Sequence, residues 1–189
     1  VKGFANMDKH IANLKGFGQT VLVCFNKFAQ DTEEEISLVR EHCKELGVPF
    51  ALNNAYCEGG EGAVELADLV AETIDKCPSG PLQFTYSDEM GIAEKISAVA
   101  TKIYGASSVS FSPEARKKIA KAEELGYASF PVCIAKTQYS FSDDPKKLGA
   151  PDLFTLTVRD IRISRGAGFI VVLTGEIMNT KVNQKMTDA

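Results

Sequence analysis

Val21-Leu22-Val23-Cys24-Phe25-Asn26-Lys27-Phe28 is the stretch whose reading decides the fold. Five apolar residues stand in a row, long enough for a short strand, and the polar pair Asn26-Lys27 ends them. An apolar run without alternation predicts a strand covered on both faces, as in a parallel sheet. On the upstream side, Phe4, Met7, Ile11 and Leu14 recur at three and four residues, one apolar stripe of a helix over 4–16 that Gly16 and Gly18 end. On the downstream side, Thr32 fits an N-cap, and Glu35 three residues on closes a capping box. Ile36, Val39 and Cys43 face inward from a helix that runs to about Leu46 and stops at Gly47. Val48–Leu52 reads as a second strand, Asn53–Gly62 as a glycine-rich loop, and Ala63 to about Ile74 as another helix. This strand–loop–helix rhythm, repeated twice, predicts α/β packing. In open α/β sheets ligands collect at the carboxyl ends of the strands, where Asn26–Phe28 and Asn53–Gly62 both fall.

Cys77-Pro78-Ser79-Gly80-Pro81 breaks the pattern. Beyond it, a helix is expected from about Glu89 to Ile103, with Ile92, Ile96, Val99 and Ile103 inward. Ser112-Pro113-Glu114 opens another: serine cap, proline in the first turn, acid near the positive end. It ends at Leu125-Gly126, and Val132–Ala135, Phe154–Val158 and Phe169–Leu173 are strand candidates. The expected fold class is α/β. A mainly parallel sheet flanked by helices occupies 1–77, a smaller mixed α/β part occupies 81–178, and 179–189 form a divergent, flexible tail.

Composition narrows the function. The 189 residues carry 21 Lys plus Arg against 25 Asp plus Glu, a net charge of -4, which gives nucleic acid no broad basic face. No apolar run approaches the roughly 20 residues of a membrane span, and no secretory signal opens the chain. It begins at Val1 in helix-like sequence, which reads as a piece of a longer protein. The five cysteines are odd in number and none is spaced as CxxC, so neither disulfides nor zinc is signalled and a reducing, cytoplasmic setting is expected. Cys24 and Cys133, inside apolar runs, are expected to be buried. His10 and His42 have no partner at ligand spacing, and no metal site is expected.

Three features bear on chemistry. Glu58-Gly59-Gly60-Glu61-Gly62 follows a strand and precedes a helix, so it is either a ligand loop or a tight turn. It lacks the lysine and the GxxxxGK[ST] order of a phosphate loop. Phe28 and Tyr56, placed after the two strands, are either core plugs or stacking platforms for a flat ring. Asn26-Lys27 would add polar groups beside Phe28, although Ala29 stands where a guanine-site aspartate would be. Lys136 comes straight off a strand, and Arg159, Arg162 and Arg165 form a modest basic cluster. Simple alternation would put Arg159 and Arg162 on different faces. No Ser-His-acid or Cys-His arrangement is supported.

From Val1 to about Met178 the chain resembles formate–tetrahydrofolate ligases. The resemblance rests on Gly3–Ile11, Asn26-Lys27-Phe28 with Asp31-Thr32-Glu33, Gly59–Gly62, Lys102–Ala106, Phe111–Ala115, Leu125–Tyr127, Pro131–Ser140, Val158–Arg162 and Gly166–Ile170, in that order. It implies an enzyme that joins formate to tetrahydrofolate at the expense of ATP, through formyl phosphate, to give 10-formyltetrahydrofolate. It also implies Mg2+, a monovalent cation, small-molecule substrates and a homo-oligomer, tetrameric in bacteria. Family chains are almost three times as long, and their phosphate-binding lysine loop and formate-site arginine would precede Val1. The isolated chain is therefore expected to be inactive and to contain no catalytic residue.

What the resemblance places here is the folate side. Phe28 matches the family's ring-sandwiching phenylalanine and Leu52 a pocket-lining leucine. Tyr56 stands where bacterial members often carry a stacking tryptophan, and keeps a flat face of smaller area. Asn26, Gly59 and Gly60 are expected ligand neighbours. After Met178, relatives continue Thr-Met-Pro-Gly-Leu-Pro, whereas this chain reads Asn179-Thr180-Lys181-Val182. The competing reading is a non-catalytic α/β module that binds folate or serves a subunit interface.

Overall fold

The structure is a computed structural model that describes residues 3–136 and 140–174. Thr137, Gln138, Tyr139 and the expected tail at 179–189 lie outside the described residues. The chain is mixed α/β and divides into two compact units, Leu14–Gln83 and the remainder. It passes between them inside the helix α1 (Phe4–Gly16) and again at Gln83/Phe84.

In the Leu14–Gln83 unit, β1 (Val23–Asn26) pairs in parallel with β2 (Phe50–Asn53), with Asn26 opposite Asn53. α2 (Glu33–Glu45) connects them. The capping box is present: the Thr32 hydroxyl accepts from the Glu35 N–H at 3.2 Å, and the Glu35 carboxylate accepts from the Thr32 N–H at 3.0 Å. Such a cap stabilises a helix by about 1 kcal/mol. Glu33, Glu34 and Glu35 complement the positive end of the helix dipole. Ile36 and Cys43, two turns apart, are its buried residues, and Gly47 turns the chain at φ +62°. α4 (Val64–Lys76) completes the unit and is amphipathic but buries no residue fully.

Here the structure corrects two expectations. The first strand is not covered on both faces: Val23 and Phe25 are half-buried, while Cys24 and Asn26 are exposed. The cysteine buried in this unit is Cys43, not Cys24. The reason is geometric, since β1 has β2 as its paired neighbour among the described residues and alternation turns Cys24 outward. The stretch read as a loop, Asn53–Gly62, is also mostly helical. A one-turn helix α3 (Ala55–Glu58) runs into a 3-10 turn at Gly59–Ala63.

The other unit holds a four-stranded mixed sheet in the order β3-β5-β6-β4. β3 is Ser108–Phe111, β4 Val132–Ala135, β5 Thr155–Ser164 and β6 Phe169–Thr174. β3 runs parallel to β5 and β4 parallel to β6, while β5 and β6 are antiparallel. α5 (Ile92–Ala98) and α6 (Pro113–Glu124) contribute to its core, where Ile92, Ile96, Ile119, Val158, Ile170 and Val172 are buried together. Ser112 caps α6 as expected, its hydroxyl accepting from the Ala115 N–H at 3.0 Å. α5 starts three residues later than expected. Gly91 precedes it, the Glu94 carboxylate accepts from the Gly91 N–H, and Glu123 of α6 accepts from the Ile92 N–H, both at 2.9 Å. Val99–Ile103 then widens into a π turn.

β3 escaped the sequence reading because Ser108 and Ser110 look like loop residues. They instead pair their hydroxyls with Thr155 and Thr157 across the strands. β5 extends past Val158 through a register shift between Val158 and Asp160. Before the shift the even positions Leu156 and Val158 are buried, and after it Ile161 is. The extra residue reverses the alternation, so Arg159 and Arg162 are both exposed rather than on different faces. Cys133 is also exposed, against expectation, on the outward side of β4.

Candidate functional site

The carboxyl ends of β1 and β2 form a polar rim inside the Leu14–Gln83 unit. The parallel ladder continues one residue beyond β1, where the Lys27 N–H donates to the Asn53 carbonyl at 3.0 Å. The chain then turns. The Phe28 N–H donates to Asp31 Oδ2 at 2.8 Å, and the Asp31 N–H returns to the Phe28 carbonyl at 3.0 Å. This side-chain-closed turn presents Phe28 outward, 59% exposed. Lys27 Nζ is 2.7 Å from Glu33 Oε1 at the start of α2. The hydrogen bond to Glu33 and its charge hold the ammonium above the usual lysine range, with Glu58 and Asp31 adding to the effect.

On the β2 side, Leu52 is half-buried and its N–H donates to Glu65 Oε1 at 3.3 Å. Asn53 Nδ2 donates to Asn26 Oδ1 at 2.8 Å, and Asn53 Oδ1 accepts from the Ala55 N–H at 3.1 Å. Ala55 opens α3, and the next residue, Tyr56, is 92% exposed. The return is fixed by backbone: the Asn54 N–H donates to the Gly62 carbonyl at 2.8 Å. A Cβ at Gly62 would lie 2.5 Å from the Asn54 carbonyl oxygen, so only glycine fits there. Gly59 takes φ +61°, a backbone that favours glycine, and both Gly59 and Gly60 are exposed with no atom within 4 Å of an added Cβ.

The structure thus places Asn26 and Leu52 at the carboxyl ends of two register-paired strands, Phe28 two residues beyond the first and Tyr56 in the helical turn after the second, with Gly59 and Gly60 in the 3-10 turn that follows. Neither ring is a core plug in this chain. The sequence reading had not singled out Asn53, and it took Glu33 and Gly62 only as members of the Asp31-Thr32-Glu33 and Glu58–Gly62 stretches. An Asn directly after a strand and two residues before a helical turn is the available signal for the first. Two flat rings, paired amides, one cation and nearby carboxylates suit binding of a flat heterocycle better than bond breaking. Among the described residues no group of three or more His, Cys, Asp or Glu side chains gathers as a metal site.

Two other places have binding or electrostatic character. A cleft of about 450 Å3 lies towards the amino ends of the same strands, lined among others by Lys15, Thr20, Pro49, Leu69 and Lys76. In the other unit, Lys136 follows β4, donates to the Ser140 carbonyl, and lies 5.2 Å from the Tyr104 ring centroid and 5.8 Å from that of Phe141. Burial pushes its ammonium below the usual lysine range. It is thus neither a solvated surface lysine nor an open anion site.

By fold, the chain is mixed α/β with helices flanking parallel and mixed sheets. Comparison with known proteins identifies the family. The family model for formate–tetrahydrofolate ligase matches residues 1–182, and the chain belongs to that family. A formate–tetrahydrofolate ligase of Bacteroides fragilis is 60% identical over 177 residues, covering 94% of this chain and 32% of the relative. Ligases of Phocaeicola vulgatus and Porphyromonas gingivalis are 56% and 53% identical over the same shares. The chain therefore spans about a third of the length of the curated relatives it matches. Among the described residues no helix is long and apolar enough to cross a membrane.

Proposed function

We propose that this chain is the folate-side part of an ATP-dependent formate–tetrahydrofolate ligase. Formate oxygen attacks the γ-phosphorus of ATP, giving formyl phosphate and ADP. The N10 amine of tetrahydrofolate then attacks the formyl carbon, phosphate leaves, and the amine proton passes to solvent or base. Phe28 and Tyr56 hold the acceptor's flat rings from the two strand ends, Leu52 lines the floor, and Asn26 with the Gly59–Gly60 turn borders the ligand. The ATP and formate sites belong to sequence outside this chain, as does the electrostatic stabilisation of the transferring phosphoryl group. The Mg2+ and monovalent cation of this reading are assigned no ligand among the residues of this chain. The complete protein is a cytoplasmic homotetramer in this reading.

The observation that carries the proposal is the outward placement of Phe28 and Tyr56 on register-paired strand ends, in a chain of this family. A single exposed ring is ordinary on a protein surface; what suits a flat ligand is that two of them follow neighbouring, register-paired strand ends. Incubation of the chain with ATP, formate, Mg2+ and tetrahydrofolate tests the division of labour. No 10-formyltetrahydrofolate is expected, and its formation would overturn the assignment of the phosphate site elsewhere. Titration with tetrahydrofolate tests the rim: Phe28→Ala and Tyr56→Ala each weaken binding by about tenfold, the value of one stacking contact.

A further inference from the structure

We propose that Asn53 is a positioning residue that sets Tyr56 against Phe28, an inference that rests on the folate reading above. Asn53 is the only described residue of the rim that is bonded to both aromatic segments. Its main-chain carbonyl accepts from the Lys27 N–H at 3.0 Å, immediately before Phe28. Its side-chain oxygen accepts from the Ala55 N–H at 3.1 Å, immediately before Tyr56. Its side-chain nitrogen donates to Asn26 Oδ1 at 2.8 Å, tying the two strand ends together. The orientation of the amide follows from chemistry. A backbone N–H can only donate, so the Asn53 oxygen must face Ala55 and its NH2 group must face Asn26.

The short α3 needs this support. Asn54, its N-cap residue, makes no side-chain capping bond, and a single turn of helix is not stable alone. The other tie on this segment, from the Asn54 N–H to the Gly62 carbonyl, anchors its base without reaching the β1 side. The direction of Tyr56 relative to Phe28 therefore depends on the Asn53 amide. A stacking pair is sensitive to such placement, because ring attraction falls quickly as the gap between faces departs from contact. Asn53 does not itself need to touch the ligand.

A double-mutant cycle on tetrahydrofolate affinity separates positioning from general stability. Asn53→Ala is expected to weaken binding by about five- to tenfold when Tyr56 is present, the worth of one to two hydrogen bonds. In the Tyr56→Ala background the same change should cost less than about twofold, because there is no ring left to place. Asn53→Ser keeps an acceptor for Ala55 but falls short of Asn26, and should lie between the wild type and Asn53→Ala. Asn26→Ala removes the inter-strand bond from the other side, and serves if Asn53→Ala fails to fold. Because Asn26 also borders the ligand, the sign of positioning is an extra loss of about two- to fivefold with Tyr56 present over that in the Tyr56→Ala background. Equal losses in both backgrounds would overturn positioning in favour of a structural role. No loss from Asn53→Ala or Asn26→Ala, while Tyr56→Ala does weaken binding, would overturn it outright. If Phe28→Ala and Tyr56→Ala leave affinity unchanged, or the unaltered chain does not bind, the folate reading has failed and the proposal falls with it.

Discussion

Two strand ends in this molecule begin alike and finish in opposite ways. β1 ends, and Lys27 and Phe28 follow. β4 ends, and Lys136 follows, with Phe141 a few residues on. At β4 the molecule closes on itself: Phe141 is buried, its ring lies 4.8 Å from that of His10, and Lys136 points at Tyr104 and Phe141 while bonding to the Ser140 carbonyl. Ser140 and Ser142, also buried, satisfy one another and the Asp144 carbonyl. At β1 the lysine turns aside to Glu33, and the phenylalanine stays outside. An aromatic beside a lysine at a strand end is thus no signature of a site. What distinguishes the β1 end is that local polar bonds hold the backbone in place while the ring is left uncovered.

The difference is open to direct attack. Phe141→Ala should lower the stability of its unit by about 3 kcal/mol, as a buried aromatic truncation does, without changing tetrahydrofolate affinity. Phe28→Ala should do the reverse, changing stability by less than about 1 kcal/mol while weakening binding. Calorimetry and titration on both variants would erase the contrast if each lost both properties. Tyr56→Phe, which keeps the flat face, should hold affinity within about twofold, whereas Tyr56→Ala should not. Thr32→Ala, which opens the capping box beneath the Phe28 turn, should cost about 1 kcal/mol of stability, read from the denaturant midpoint at constant slope.

The smallest expected effect concerns pH. Burial lowers the Lys136 ammonium, so the folded chain releases this proton before the unfolded chain does. Between the lowered value and the ordinary lysine value the unfolded state binds more protons, and this group's contribution to stability rises with pH. The burial penalty on the charged form is fully present below that window. Lys136→Met should therefore remove an alkaline rise in stability, visible as the difference between two pH–stability curves. An unchanged difference would mean that the ammonium is as well solvated as that of a surface lysine.

Much of this was legible in the sequence, for physical reasons that differ by element. Thr32 and Glu35 specify their helix start through contacts three residues apart, as Ser112 and Pro113 do theirs, so both caps could be read directly. The carboxyl ends of β1 and β2 could be placed because Asn26 and Asn53 interrupt apolar runs. The exposure of Cys24 and Cys133 could not, because an apolar run does not say how many of its faces find a neighbour. Nor could the reversal in β5, since a bulge leaves no mark on the Leu156–Ile163 pattern until its partner strand is known. β3 was hidden by hydroxyl side chains that bond across the sheet. In the candidate site, their place after the two strands picked out Phe28 and Tyr56 and family resemblance supplied a role, but the connection through Asn53 depends on register, which a single strand does not carry.

The most direct measurement is a tetrahydrofolate titration of the chain beside a Phe28→Ala/Tyr56→Ala double variant, with thermal unfolding of both. If the open strand end is a ring-binding rim, the double variant binds at least about tenfold more weakly and unfolds at nearly the same temperature. Equal affinity of the two chains for tetrahydrofolate would contradict it.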